Sequence, residues 1–312
     1  MSKPGVLFGA EPGHRKAAIA AACELERQGF PHLFCPYDYG LPEGDWISNI
    51  AEVYDALSLS SAILQATHEM RVGTGISVTY MRHPADVAAA ASFNHEISDG
   101  RFLLGLGPGA NEFLERFDIQ PERPLAHMRR YVERVRAAAS RQPLPPILIA
   151  AVRPRMLRLA FEIADGPLGA NWALSHMSAL LNEVPAELRQ GAEIHNIAPI
   201  WISDDRAEGL AFMRRFLGLH MQLANFRAYF AAAGFVDEVQ RVEAALATGD
   251  TTAVEAAISE RMADDIGIFG TRSQIHDKVD AWQDVGVTLT VSTLLTIKNQ
   301  PEAVLRVADL FD

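Results

Sequence analysis

The 312-residue sequence predicts an α/β chain folded as a (β/α)8 TIM barrel, with a helical insertion between strand 7 and strand 8. Three observations carry that reading. Short apolar runs alternate with longer stretches of helical spacing, and strict alternation of β and α elements implies a parallel sheet. Eight such runs can be counted, the number that closes a barrel. The length exceeds the roughly 250 residues typical of that fold. The excess sits largely in one helical block at about 204–262.

Val6-Leu7-Phe8 reads as the first strand, and residues 14–28 follow with helical spacing. That helix stops at Gly29, a residue suited to the position after a helix end. His32-Leu33-Phe34-Cys35 is the second strand, a helix covers roughly 50–67, and Met70 to Ile76 is the third strand. Pro84 opens the next helix in its first turn, where a missing N–H costs nothing. That Ala-rich helix stops near Gly100, and Arg101 to Leu106 is the fourth strand. Asn111 to Gln120 reads as a loop or short turn before a helix at about 122–139. Ile147 to Ala150 is the fifth strand, followed by a helix at about 155–164. Gly166 to Gly169 is a weak sixth strand and Ile197 to Ile202 the seventh. After the helical block, a helix near 272–285 leads to Gly286, Val287 to Leu294 is the eighth strand, and a last helix starts at about 301. No linker, short repeat or low-complexity segment divides the chain, so 1–312 reads as a single domain. The block at 204–262 has no core pattern of its own and suits a lid or a dimer surface.

Composition narrows the function. Lys and Arg number 28 against 39 Asp and Glu, a net charge of −11. Nucleic-acid backbones are bound through clustered cations, so no nucleic-acid partner is expected. An apolar content of 49% excludes a disordered chain. Two cysteines, Cys23 and Cys35, make no disulfide framework and fit a reducing compartment. The N-terminus lacks the apolar core of a signal peptide, and no run reaches the ~18 apolar residues of a membrane span. A cytoplasmic chain with no membrane partner is expected.

No H-E-x-x-H, C-x-x-C or paired-His spacing points to a metal, and no G-x-S-x-G elbow or P-loop is present. The ten His are scattered, and one such as His195 reads as a surface or packing residue. Gly105-Leu106-Gly107-Pro108-Gly109-Ala110 formally matches a dinucleotide fingerprint. It follows the fourth strand rather than the first, Pro108 removes a backbone donor, and no clean helix follows at once. The better reading is a barrel βα loop whose backbone N–H groups come close to a phosphate or a ring.

Four segments together resemble the luciferase-like flavin- and deazaflavin-dependent oxidoreductases. They are Arg82-His83-Pro84; Ser98-Asp99-Gly100-Arg101 running through Gly107-Pro108-Gly109; Pro146 to Ala151 with Pro154 to Ala160 and Ile163-Ala164-Asp165-Gly166; and Phe269-Gly270-Thr271 followed by Gly286-Val287. The resemblance implies a barrel that holds a flavin-type ring in its mouth, bound as FMN or as the deazaflavin coenzyme F420. The helical block and the run Gly73-Thr74-Gly75-Ile76 look more like the F420 branch.

In that branch the third strand ends in a non-proline cis peptide behind the ring, which here falls at Gly75-Ile76. Gly107-Pro108-Gly109 and Ala151-Val152-Arg153 match the two loops that hold the cofactor phosphate. Relatives carry Gly where this chain has Arg153, whose guanidinium can add a bidentate grip. Asp38-Tyr39 matches a place where relatives often carry Asp-His. Asp38 would meet the polar edge of the ring, and Tyr39 would donate the proton, since a phenol with a pKa near 10 suits donation at neutral pH. Asn111 and Trp172 would shape the pocket. Ala110 stands where some relatives have a catalytic Glu, which disfavours their sugar-phosphate chemistry. Only Ser140 to Pro146 joins a helix and strand where many relatives insert a hairpin, so a more open mouth is expected there. Arg153, Arg155 and Arg158 supply local positive charge in an acidic chain.

The resemblance therefore implies an oxidoreductase that passes hydride between F420 and a small-molecule substrate, in a homodimer. The alternatives are an FMN monooxygenase that uses a separately reduced flavin and oxygen, and a family member that binds a flavin without turnover.

Overall fold

In the computed structural model, residues 3–10, 13–36, 55–292 and 300–311 are described. Each apolar run pairs in parallel with the next because a helix carries the chain back between them. The strands are β1 Gly5–Leu7, β2 His32–Cys35, β3 Arg71–Thr74, β4 Ser77–Val78, β5 Phe102–Gly107, β6 Ile147–Ala150, β7 Gly166–Ala170, β8 His195–Ile202, β9 Ile268–Gly270 and β10 Thr288–Ser292. Eight of them close the barrel in the order β1-β2-β3-β5-β6-β7-β8-β10, with β10 pairing back onto β1. The helices that return the chain are α1 Arg15–Arg27, α2 Ala56–Ala66, α3 Pro84–Ile97, α4 Asn111–Leu114, α5 Pro124–Ala138, α6 Pro154–Ile163, α7 Leu174–Asn182 and α8 Ala186–Arg189. The insertion follows as α9 Arg206–Met221, α10 Ala224–Ala232, α11 Val236–Thr248, α12 Thr251–Ala256 and α13 Glu260–Ile266. Helices α14 Arg272–Asp284 and α15 Gln300–Ala308 complete the ring.

Side chains alternate across each strand. Leu7, Phe34, Leu103, Leu148 and Leu168 point inward and form a closed layer inside the barrel, with Ile76 and Ile197 packed on it. Their neighbours Val6, Leu33, Val72, Leu104 and Ile149 point outward into the main apolar cluster beneath the helices. Met221, Tyr229, Phe230 and Val242 of the insertion join that cluster, so the block shares the barrel's core.

Several motif residues serve the N-terminal end of the barrel. Arg101 donates to the carbonyls of Leu64, Thr67 and Met70. Asp99 and Gly100 take positive φ at 51° and 87°, which lets the chain turn from α3 into β5. Asp165 accepts from the N–H of Ile147 at 2.8 Å and so joins the bottoms of β6 and β7. Beneath the leucine layer lies a polar plug. His32 Nε2 meets Thr290 Oγ1 at 2.8 Å, His195 Nε2 meets Glu193 at 3.3 Å, and Arg71 grips Glu193 with two hydrogen bonds of 2.7 and 2.9 Å. His195 is thus a buried packing residue, not a surface one.

Some expectations shift. The third strand is cut after Thr74, and β4 resumes along β5. The sequence hid β9, whose three residues are too few to show alternation; among the described residues it pairs only with the end of β8. Helices α7 and α8 also went unforeseen, and Asn111 opens a short helix rather than a loop. The Ser140 to Pro146 connection enters the N-terminal end of β6, so its shortness cannot open the mouth at the opposite end of the strands.

Candidate active site

The C-terminal ends of the strands are made of small residues, and this follows from close approach. A Cβ on Gly105 would run into the backbone carbonyl of Thr74, whose own Oγ1 donates to the Gly105 carbonyl at 2.7 Å. Only glycine lets β3 and β5 come that near. Gly75 sits on the inner layer, where a Cβ would stand 3.0 Å from Phe34 and 3.2 Å from Leu7. Its N–H donates to the Cys35 carbonyl at 2.8 Å, and the Gly75–Ile76 peptide bond is cis, where the resemblance places it. A Cβ on Gly107 would collide with Ile76 and lie 2.8 Å from that of Ala150. Gly75, Ile76, Gly107 and Ala150 therefore meet in one shallow floor, with Ile76 and Gly75 half-buried and open on one side.

Two loops rise beside it. Gly109 has φ 80° and turns the chain into α4, whose first residue Asn111 is exposed. After β6, Arg153 is the residue before α6, and its carbonyl takes the N–H groups of Met156 and Leu157. Its side chain is exposed and, among the described residues, has no ion-pair partner. Arg158 is one turn further on and pairs with Glu162 at 3.0 Å, so it does not join the mouth.

Trp172 stands elsewhere than expected. It is fully buried, its ring fills the space over Gly169, and its indole N–H donates to the Ala151 carbonyl at 2.9 Å. It backs the Ala151-Val152-Arg153 loop instead of lining the mouth. Asp38 and Tyr39 lie outside the described residues.

The insertion closes over this end. Tyr229 of α10 accepts from the Ala173 N–H at 2.8 Å, and Asp265 of α13 takes the N–H and hydroxyl of Ser175 at 2.9 and 2.7 Å. Glu112 of α4 accepts from the first N–H of α10, at Ala224, at 3.2 Å. Sequence reasoning missed this contact and the row Phe212, Phe216 and His220 on α9; the four-residue spacing was the available signal.

Close packing at Gly105 and Gly107 thus brings the half-buried Gly75-Ile76 pair next to the loop after β5, and the exposed Arg153 follows the neighbouring strand β6. Among the described residues no helix is long and apolar enough to cross a membrane.

Comparison with known proteins agrees with this architecture. The chain is 27% identical to a putative coenzyme F420-dependent oxidoreductase of Mycobacterium tuberculosis, over 92% of both chains. Its fold is similar to the coenzyme F420-dependent tetrahydromethanopterin reductase of Methanopyrus kandleri, with a TM-score of 0.66, 16% identity and 94% of each chain covered. It is also similar to the oxygenating component of the 3,6-diketocamphane monooxygenase of Pseudomonas putida in complex with FMN, with a TM-score of 0.61, 15% identity, and 94% and 91% of the two chains covered. Residues 3–289 match the family model for luciferase-like monooxygenases, and the chain belongs to that family.

Proposed function

We propose that this protein is an oxidoreductase that transfers hydride between coenzyme F420 and a small organic substrate. The observation that supports it most is the half-buried Gly75-Ile76 pair after β3, which packs directly against Gly107 at the start of the Gly107-Pro108-Gly109 loop. The extended likeness to a putative coenzyme F420-dependent oxidoreductase of M. tuberculosis points the same way.

When bound, F420 supplies the two-electron hydride chemistry, and the protein supplies position and a proton. Gly75 and Ile76 would support one face of the ring and leave the other to the substrate. Gly107-Pro108-Gly109 and Ala151-Val152-Arg153 would hold the phosphate, with backbone N–H groups at short range and the Arg153 guanidinium as a counter-charge. Asp38 would face the polar edge of the ring. Tyr39 would hold, at its phenol oxygen, the proton delivered to the substrate, and Asn111 would touch the substrate at the rim. The insertion excludes water above.

The test is titration of the cofactor-free protein with F420 and with FMN in parallel. Binding of F420, weakened by Gly107→Ala, is expected, with turnover reduced by Tyr39→Phe. The likeness to an FMN-bound monooxygenase keeps a second reading in view. FMN binding without F420 binding would establish that reading in place of the first.

A further inference from the structure

A row of rings on β8 and the insertion carries two polar atoms that the proposed chemistry does not use: the buried indole N–H of Trp201, which has no partner among the described residues, and Nε2 of His220. Trp201 continues the inward register of β8 set by Ile197 and lies beside Phe269 of β9. Helix α9 begins over that face: a Cβ on Gly209 would stand 2.7 Å from Phe269, and Leu210 and Met213 pack with Phe269. Just beyond its far end, the Ala224 N–H reaches Glu112 of α4, which follows β5, three places round the barrel from β8. Helix α9 therefore runs, at the C-terminal end of the barrel, from the end of β8 toward the segment after β5.

Its lower face is a row of rings. Phe212 stacks on Trp201 at 4.5 Å, Phe216 follows at 6.1 Å, and His220 stacks on Phe216 at 4.5 Å. Phe226 closes the row edge-on to His220 at 5.1 Å. His220 Nδ1 lies 2.9 Å from the Phe216 carbonyl, which can only accept, so Nδ1 carries the hydrogen. Nε2 then keeps a lone pair. Among the described residues it has no hydrogen-bond partner, and it is not sealed from solvent. Burial holds the imidazole below its ordinary pKa and so keeps it neutral.

We infer that His220 selects the substrate: Nε2 accepts one hydrogen bond from the hydroxyl or N–H of a molecule whose remaining body is apolar and packs along the Trp201–Phe226 row. This rests on the proposed function, in which the substrate enters between the floor and this row. A half-buried acceptor inside an aromatic wall discriminates, because a ligand without a donor strips its water and returns nothing.

The experiment uses two probes of one shape, 2-naphthol and 2-methoxynaphthalene, titrated by calorimetry into the full-length protein without cofactor at pH 7.5. The hydroxyl probe is expected to bind about tenfold more tightly, the worth of one net hydrogen bond. His220→Phe should erase that preference and leave the methoxy probe unchanged, and His220→Gln, which retains an acceptor, should keep part of it. In protein labelled at the imidazole nitrogens, 2-naphthol should shift the His220 Nε2 resonance and the methoxy probe should not. Equal binding of the probes to the native protein, an unmoved Nε2 resonance, or a preference that survives in His220→Phe would each overturn the inference. The labelling readout stands even if a variant fails to fold. The F420 titration is independent of it, so either idea can fail alone.

Discussion

The indole N–H of Trp172 donates to the Ala151 carbonyl at 2.9 Å, so a fully buried ring after β7 fixes the height of the loop after β6. Trp172→Phe keeps most of the packing but leaves that carbonyl without its donor. A loss of about 1–3 kcal/mol in stability is expected. Cofactor binding should weaken as well, since the loop carries Arg153. Chemical denaturation and cofactor titration of the same variant check both.

Two glycine variants should separate folding from binding. Gly105→Ala drives a methyl group into the Thr74 backbone, which cannot yield, and is expected to destabilise severely or give insoluble protein. Gly107→Ala meets the flexible end of Ile76 and, less closely, the Cβ of Ala150, so the chain should fold with a loss of about 1–3 kcal/mol from overpacking. Its F420 affinity should fall at least about tenfold, because the methyl group displaces Ile76, which would support the ring. Melting curves and titrations of the pair decide the matter.

The polar plug should make stability depend on pH. Burial, helped by repulsion from His195 and Arg71 and opposed by Glu193, holds His32 down to about 3. Unfolded, the same ring titrates near 6.5, so between those values only the unfolded chain binds the proton. Its contribution is complete above 6.5 and is lost as pH falls toward 3, at up to about 1.4 kcal/mol per pH unit. Glu193, held down to about 2 by its hydrogen bonds to His195 and Arg71, adds a loss that starts only below its ordinary 4.5. His32→Gln should therefore flatten urea-derived stability between pH 5 and 6.5 while leaving the steeper fall below 4.5.

Arg153→Ala tests the rim charge. Its exposed guanidinium should matter most at low ionic strength. F420 affinity is expected to fall several-fold at about 20 mM salt and by much less at about 500 mM, where the Debye length is only a few ångströms. Equal losses at both salt concentrations would mean that Arg153 acts by shaping the loop instead.

Much of the barrel was legible along the chain, because its information is local. Alternating apolar runs at Leu33, Leu104 or Ile149 and helix stops such as Gly29 record themselves residue by residue. The Gly107-Pro108-Gly109 loop was legible for the same reason. The segment Ile268–Gly270 was too short to leave a period, and Trp172 read as a pocket residue because a sequence does not say which side of a loop a ring occupies.

By itself, then, the sequence determined the parallel barrel, the place of the helical insertion and the glycines at the strand ends. These follow from periodicity and from residue types that have few backbone alternatives. Only the tertiary structure decided that Gly107 faces Ile76 and Ala150, that His32 and His195 share a buried plug, and that α9 aligns Phe212, Phe216 and His220 in one row continued by Trp201 and Phe226. Those relations join residues far apart in the chain, and they exist only once closing the barrel brings its strand ends onto one ring.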